Sequence, residues 1–184
     1  MKIHFQPGRL SRTARGFWAC FALAMAVYLT MVLWSLPRLQ QAAGGRVAFD
    51  LQPMGYSPAE ARALVAALGE DGRAFYLNVQ HCLDAAYPAL LAVTLILAFR
   101  LLARGWLVQG LTAVAVFAAA LDYLENWAVA AMLRTAPDAM TDAMVETASR
   151  WTVAKSLAST VTFVALIVLL GRAGWVWLRQ RRKV

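Results

Sequence analysis

Apolar residues in this chain come in four blocks of about twenty, each long enough to cross the roughly 30 Å hydrocarbon layer of a bilayer as a helix. Backbone polar groups in that layer have no water to bond, so each block must satisfy its own hydrogen bonds and fold as an α-helix. Spans are expected over about residues 16–36, 73–102, 106–133 and 151–170, within one domain covering 1–184. The fold class that follows is an all-α membrane protein, a four-transmembrane-helix bundle. Of the 184 residues, 61% are hydrophobic and 15% charged, a balance that fits a membrane protein and leaves little chain for a soluble unit. The first block follows a basic stretch, as a signal peptide would, but it is too long for a signal core and lacks a convincing cleavage site; it is read as a retained span.

Basic residues sort by side. Lys2, Arg9, Arg12 and Arg15 precede the first block, Arg100 and Arg104 flank the second turn, and Arg172, Arg179, Arg181, Arg182 and Lys183 follow the last. These segments hold eleven basic residues and no acid, whereas the other two connections hold six basic and seven acidic residues. By the positive-inside rule both termini are expected in the cytoplasm. The net charge of +8 is then a product of orientation and of attraction to anionic lipid. No aromatic-interleaved basic groove points to nucleic acid. Membrane lipids are the expected partners, with a second copy or another membrane protein as a further one, since Ala118, Ala119 and Ala120 permit close helix contact. Trp18 and Trp34 mark the ends of the first span, and Pro37 is expected to stop it. Cys20 and Cys82 fall near opposite membrane faces, well beyond the roughly 7 Å Cα separation that a disulfide tolerates.

The outer loop, residues 37–72, carries its own signals. Gly44-Gly45 predicts a turn. Ser57-Pro58-Ala59-Glu60 is a capping box with proline at the first helical position, so a short helix is expected over 58–68, ended by Gly69. Its apolar face, Ala61, Leu64, Val65 and Leu68, is expected to pack on the mouth of the bundle rather than lie alone on lipid, for which it is not basic enough. Pro137 predicts a second short helix in the loop over 134–150.

Within the spans stand polar groups that lipid would reject. Asp122, Glu125 and Asn126 lie three and four residues apart on one helical face of the third span, in the run Leu121-Asp122-Tyr123-Leu124-Glu125-Asn126-Trp127. The second span brings Gln80, His81, Asp84 and Tyr87 along one side, and the fourth brings Thr152, Lys155, Ser156 and Ser159 along one stripe. Pro88 has no N–H to give the carbonyl of Asp84, which must find another donor, and a kink is expected there. Asp84, Asp122, Glu125 and Lys155 arrive at a similar depth, so one cluster is predicted: Asp84, Asp122, Glu125, Asn126 and Lys155, with Tyr87, Tyr123, His81 and Ser159 at its edge. Three acids against one lysine leave a charge surplus, so either like-charge repulsion and low dielectric keep at least one carboxyl protonated, or Arg73 or Arg150 reaches in from the rim.

Several chemistries fit such a cluster. As an ionic lock it would hold the helices in register, with Asn126 serving the freed carbonyl of Asp84. As an enzyme it would open to the outer face past Tyr87, Tyr123 and Trp127, with a carboxylate as general base and Lys155 as proton donor toward a lipid or isoprenoid; Lys155 and Ser159 would alternatively form a serine–lysine pair. A metal site would pair His81 and Asp84 with Asp122 and Glu125, against which Lys155 stands as the objection. Proton or ion transport lacks polar groups in the inner halves, such as residues 90–99 and 161–170. No cofactor is specified by any motif.

The runs Phe49-Asp50-Leu51-Gln52-Pro53-Met54-Gly55-Tyr56-Ser57, Leu83-Asp84-Ala85-Ala86-Tyr87-Pro88 and Asp122-Tyr123-Leu124-Glu125-Asn126 resemble a group of uncharacterised small four-helix bacterial inner-membrane proteins. The resemblance covers most of the chain beyond the first helix. It implies a bacterial cytoplasmic-membrane setting and no particular activity.

Overall fold

Every regular element among the described residues is helical. The structure, a computed structural model, describes residues 11–182; Lys2, Arg9 and Lys183 of the charge pattern lie outside the described residues. Helix α1 (Arg12–Thr30) starts at Ser11, whose hydroxyl accepts from the Ala14 N–H at 3.1 Å. It passes through a π-helical turn (Met31–Ser35) into α2 (Leu36–Ala42). Pro37 therefore does not stop the first helix. The Leu36 N–H reaches back to the carbonyl of Met31, so the hydrogen-bond ladder restarts there and Pro37 falls in a first turn, where its missing N–H costs little. The chain then reverses at Gly44 and Gly45, both at positive φ.

Helix α3 (Pro58–Phe75) opens with the full capping box: Ser57 Oγ accepts from the Glu60 N–H at 3.3 Å, and the Ser57 N–H donates to Glu60 Oε2 at 2.7 Å. Those bonds from Ser57 hold the Glu60 carboxyl below its usual titration range. Gly69, at φ 61° and ψ −167°, breaks α3 where the sequence places the end of the short helix. A second π-helical turn (Tyr76–Gln80) leads into α4 (His81–Leu102), which carries Pro88 in its interior. Helix α5 (Trp106–Arg134) follows a turn at Gly105. After a 3-10 turn (Pro137–Ala139), α6 (Asp142–Arg181) completes the described chain.

The last helix differs most from expectation. It begins at Asp142 rather than near Trp151 and ends at Arg181 rather than near Leu170. Its acidic first turns resemble a loop in composition, yet Thr141 Oγ1 caps the Met144 N–H at 3.3 Å and Asp142 sits favourably at the helix N-terminus. Val145, Ala148 and Thr152, buried at helical spacing, anchor that extension.

Four helices are long and apolar enough to cross a membrane: Arg12–Ala42, Pro58–Leu102, Trp106–Arg134 and Asp142–Arg181. They pack in chain order, α1 along α4, α4 along α5 and α5 along α6, as a four-helix bundle. Their outward faces carry exposed Leu33, Phe117, Leu157, Ile167 and Val168, which water would disfavour and hydrocarbon accepts. Cys20 and Cys82 are free thiols. The end bearing α3 is the loop end; the end bearing Arg12 and Arg181 is the terminal end.

The loop end is closed by its own core. Ala61, Leu64, Val65 and Leu68 of α3 join Leu39, Phe49, Val129, Met132, Val145 and Ala148 in one cluster. Arg62 ties the cap to the start of α6, donating to the Met140 carbonyl at 2.8 Å and pairing with Asp142. The Tyr56 N–H donates to Ser149 Oγ at 2.9 Å, beside Gly55 at φ 84°. A Cβ at Gly55 would stand 2.5 Å from that same oxygen, whereas one at Gly45 meets nothing within 4 Å. Gly55→Ala should therefore cost about 2 kcal/mol or more and lower the melting temperature in detergent well beyond Gly45→Ala, which pays only for its backbone, about 1 kcal/mol. Equal melting of the two variants would rule out close packing of this loop on α6.

Candidate functional site

Asp122 and Glu125 project from one face of α5, and Lys155 answers them from α6. The Lys155 ammonium lies 3.3 Å from Asp122 Oδ1 and in direct contact with Glu125 Oε2. Side-chain exposure is 17% for Lys155, 16% for Asp122 and 0% for Glu125, so these charges are withdrawn from the surface and compensate one another. No hydrogen bond joins Lys155 to Ser159 among the described residues, and the serine–lysine pair is not formed.

Pro88 leaves the Asp84 carbonyl without its helical donor, and Asn126 supplies one: Nδ2 donates to that carbonyl at 3.0 Å. One turn away on α5, the Tyr123 hydroxyl donates to the carbonyl of Ala85 at 2.9 Å. Two side chains of α5 thus serve the backbone that the proline opens in α4. Asp84 itself turns toward the loop end. Gln80 Nε2 donates to Asp84 Oδ2 at 2.9 Å, and Ser35 Oγ donates to Gln80 Oε1 at 2.5 Å. Ser35 and Gln80 each close a π-helical turn, so the two wide turns meet side chain to side chain.

A fourth acid reaches the cluster from the loop. Asp50, in the 3-10 turn Phe49–Leu51, accepts from the Tyr76 hydroxyl at 2.8 Å and stands within electrostatic range of Asp84, Glu125 and Lys155. Phe49, fully buried, packs at a tilt against Tyr56, 4.7 Å between centroids. Asp50, Ser35, Tyr56 and Tyr76 were not visible as site residues in the sequence. An acid in a polar loop carries no periodic signal, and its partners stand many residues away. Thr152, fully buried, adjoins both the Tyr56 hydroxyl and the Glu125 carboxyl. Its own hydroxyl leans to the Ala148 carbonyl at 3.3 Å, and among the described residues the Tyr56 hydroxyl and Glu125 Oε1 have no hydrogen-bond partner in ordinary geometry. Burial raises the Tyr56 phenol above its usual value, so it stays protonated.

The remaining expected members take other places. Tyr87 stacks on Tyr28 of α1 at 5.9 Å, His81 is half-buried outside these bonds, and Ser159 lines a small cavity. That cavity, about 20 Å³, lies under Asp122 with Pro88, Ala118, Ser159, Thr162 and Phe163 around it. It has room for about one water-sized group. Tyr123 and Trp127 instead face outward from the bundle, 42% and 70% exposed. Arg73 and Arg150 do not reach in. The first donates to the Gly69 carbonyl at 3.1 Å and the second pairs with Glu146 at 3.4 Å on the surface. Among the described residues no three His, Cys, Asp or Glu side chains converge as a metal site would need, so the set His81, Asp84, Asp122 and Glu125 is not assembled.

Fold and cluster together define an all-α membrane protein with a polar, acid-rich centre toward one end of its bundle. Compared with protein-family models, with curated proteins and with solved structures, the chain matches none.

The Asn126 bond makes a thermodynamic cycle available. Asn126→Leu should cost about 1–3 kcal/mol, because it leaves the Asp84 carbonyl without a donor. In a Pro88→Ala background, where residue 88 recovers its N–H, the same change should cost about 1 kcal/mol less, measured by thermal unfolding in detergent. Strict additivity would show that Asn126 does not serve that carbonyl.

Proposed function

We propose that this chain is a small multi-pass integral membrane protein of the bacterial inner membrane, with both termini cytoplasmic, whose outer-half polar cluster organises the bundle and offers a ligand site. The observation that carries the reading is the bridge of Lys155 to two carboxylates of α5. A charge at this depth is tolerated when paired inside a bundle, and here the pair joins the two last spans. The orientation rests on eleven basic residues with no acid at the terminal end, against six basic and seven acidic at the loop end. Membrane lipids are the partners this setting supplies.

Lys155→Met should cost about 3–5 kcal/mol, by stranding two buried carboxylates, and reduce the amount of protein recovered from membranes. Adding Asp122→Asn and Glu125→Gln should restore much of the loss. Unchanged melting of the single variant would sink the organising role.

A second reading, an intramembrane enzyme acting on a lipid or isoprenoid at the outer face, draws on one feature: Asp122 and Lys155, a carboxylate and an ammonium 3.3 Å apart, adjoin a cavity with room for one water. There Asp122 would serve as general base and Lys155 as proton donor. Native mass spectra of gently extracted protein test it. This reading expects a lipid-derived adduct on the wild type that a folded Asp122→Asn, Glu125→Gln variant loses; retention of every wild-type adduct by that variant would remove it.

A further inference from the structure

The terminal end of the bundle holds a second, wholly different cavity. It measures about 300 Å³, and its exposed lining is apolar, from Phe17 and Phe21 of α1, Leu95 and Ala98 of α4, and Leu166 and Leu170 of α6. The one hydroxyl among its lining residues, Thr94, is spent on the Leu90 carbonyl at 2.7 Å. Helix α1 packs along α4, and α6 packs chiefly on α5, so α1 and α6 flank a crevice with α4 as its floor. Phe163 begins the α6 wall, and positions 166, 170, 177 and 181 continue the same helical face. Beyond Leu170 that face carries Trp177 and Arg181, with the Arg181 guanidinium 4.1 Å over the Trp177 ring. The segments at this end contain no acid to pair with the arginine.

Lengths agree with a lipid. From Phe163 to Trp177 the helix rises about 21 Å at 1.5 Å per residue. Half of a bilayer with its headgroups measures about 20–22 Å. Helical side chains lean toward the N-terminus, which brings the Arg181 guanidinium back to the level of Trp177. A basic group fixed on an aromatic ring about 10 Å along α6 beyond Leu170, the last α6 residue of the apolar crevice, complements one kind of molecule.

We propose that the α1–α4–α6 crevice binds an anionic phospholipid, one acyl chain lying against Phe21, Ala98 and Leu166, with its phosphate held by Arg181 over Trp177. The site does not depend on the function proposed for the Lys155 cluster, although Leu91, Leu95 and Phe163 also line the small cavity under Asp122. Arginine suits this role because its planar fork bonds phosphate oxygens while its face stacks on the indole. Arg179, which stacks on Trp175 at 4.9 Å, lies on the opposite face of α6 and provides an internal control of equal charge.

The test uses the full chain in nanodiscs, followed by native mass spectrometry with phosphatidylglycerol and phosphatidylcholine of identical acyl chains. Phosphatidylglycerol should be retained at least about fivefold more than phosphatidylcholine. Arg181→Gln should remove most of that preference and Arg179→Gln should leave it. Leu170→Trp, at the half-open edge of the crevice, should weaken retention of both lipids. Equal loss in the two arginine variants would reduce the effect to bulk charge and overturn the site, as would equal retention of the two lipids by the wild type. Should Leu170→Trp not extract as a folded protein, phosphatidylglycerol with a diazirine in its acyl chain decides the matter. Crosslinks confined to 17–21, 91–102 and 163–170 support the crevice, and crosslinks spread over the outer faces of the helices refute it.

Discussion

The contact of Lys155 with Asp122 and Glu125 sets the relation of the last two spans. Both carboxylates stand on one face of α5, nearly a full turn apart, and a single ammonium from α6 answers them. Moving α6 by one residue would rotate Lys155 by about 100° and shift it about 1.5 Å, which would carry a charge toward lipid and leave two carboxylates buried alone. Apolar packing has no such penalty for small slips, because hydrocarbon is as good a neighbour for leucine as another leucine. The ion pairs therefore supply the register that the apolar faces leave undetermined.

Irregular backbone concentrates where the polar groups meet. Pro88 opens the ladder of α4 and α5 closes it from outside with Asn126 and Tyr123. Ser35 and Gln80 come from π-helical turns of the first and second spans, and their hydrogen bond extends the network to Asp84. Each π turn re-aims the side chains that follow it, at the cost of poorer helical geometry. In lipid that cost is acceptable only where protein groups take up the loosened backbone. Such turns are frequent at functional sites, and here their side chains lead to Asp84.

The two ends of the bundle are built on opposite terms. At the loop end α3 and the Phe49–Tyr56 pair cover the cluster, leaving Glu125 fully enclosed. At the terminal end no cap exists among the described residues, α1 and α6 flank an open crevice, and α6 continues past it as an exposed helix bearing Trp175 and Trp177. The small cavity under Asp122 and the larger apolar crevice share Leu91, Leu95 and Phe163, so the two spaces adjoin.

The sequence by itself determined the class of fold, because four apolar blocks of bilayer length admit few alternatives. It also determined the capping box at Ser57, the break at Gly69 and the membership of Asp84, Asp122, Glu125, Asn126 and Lys155 in one centre, since lone charges in lipid are too costly to stand apart. Pro88 even identified the carbonyl that Asn126 serves, because a missing N–H is a local fact. Tertiary structure decided the rest. That the helix runs through Pro37 depended on a π turn whose Ser35 is held by Gln80, and the early start of α6 depended on burial of Val145 and Ala148 under the cap. Asp50 joined the cluster, and Arg73 and Arg150 stayed out of it, because the path of a loop is set by long-range packing that no local pattern of residues encodes.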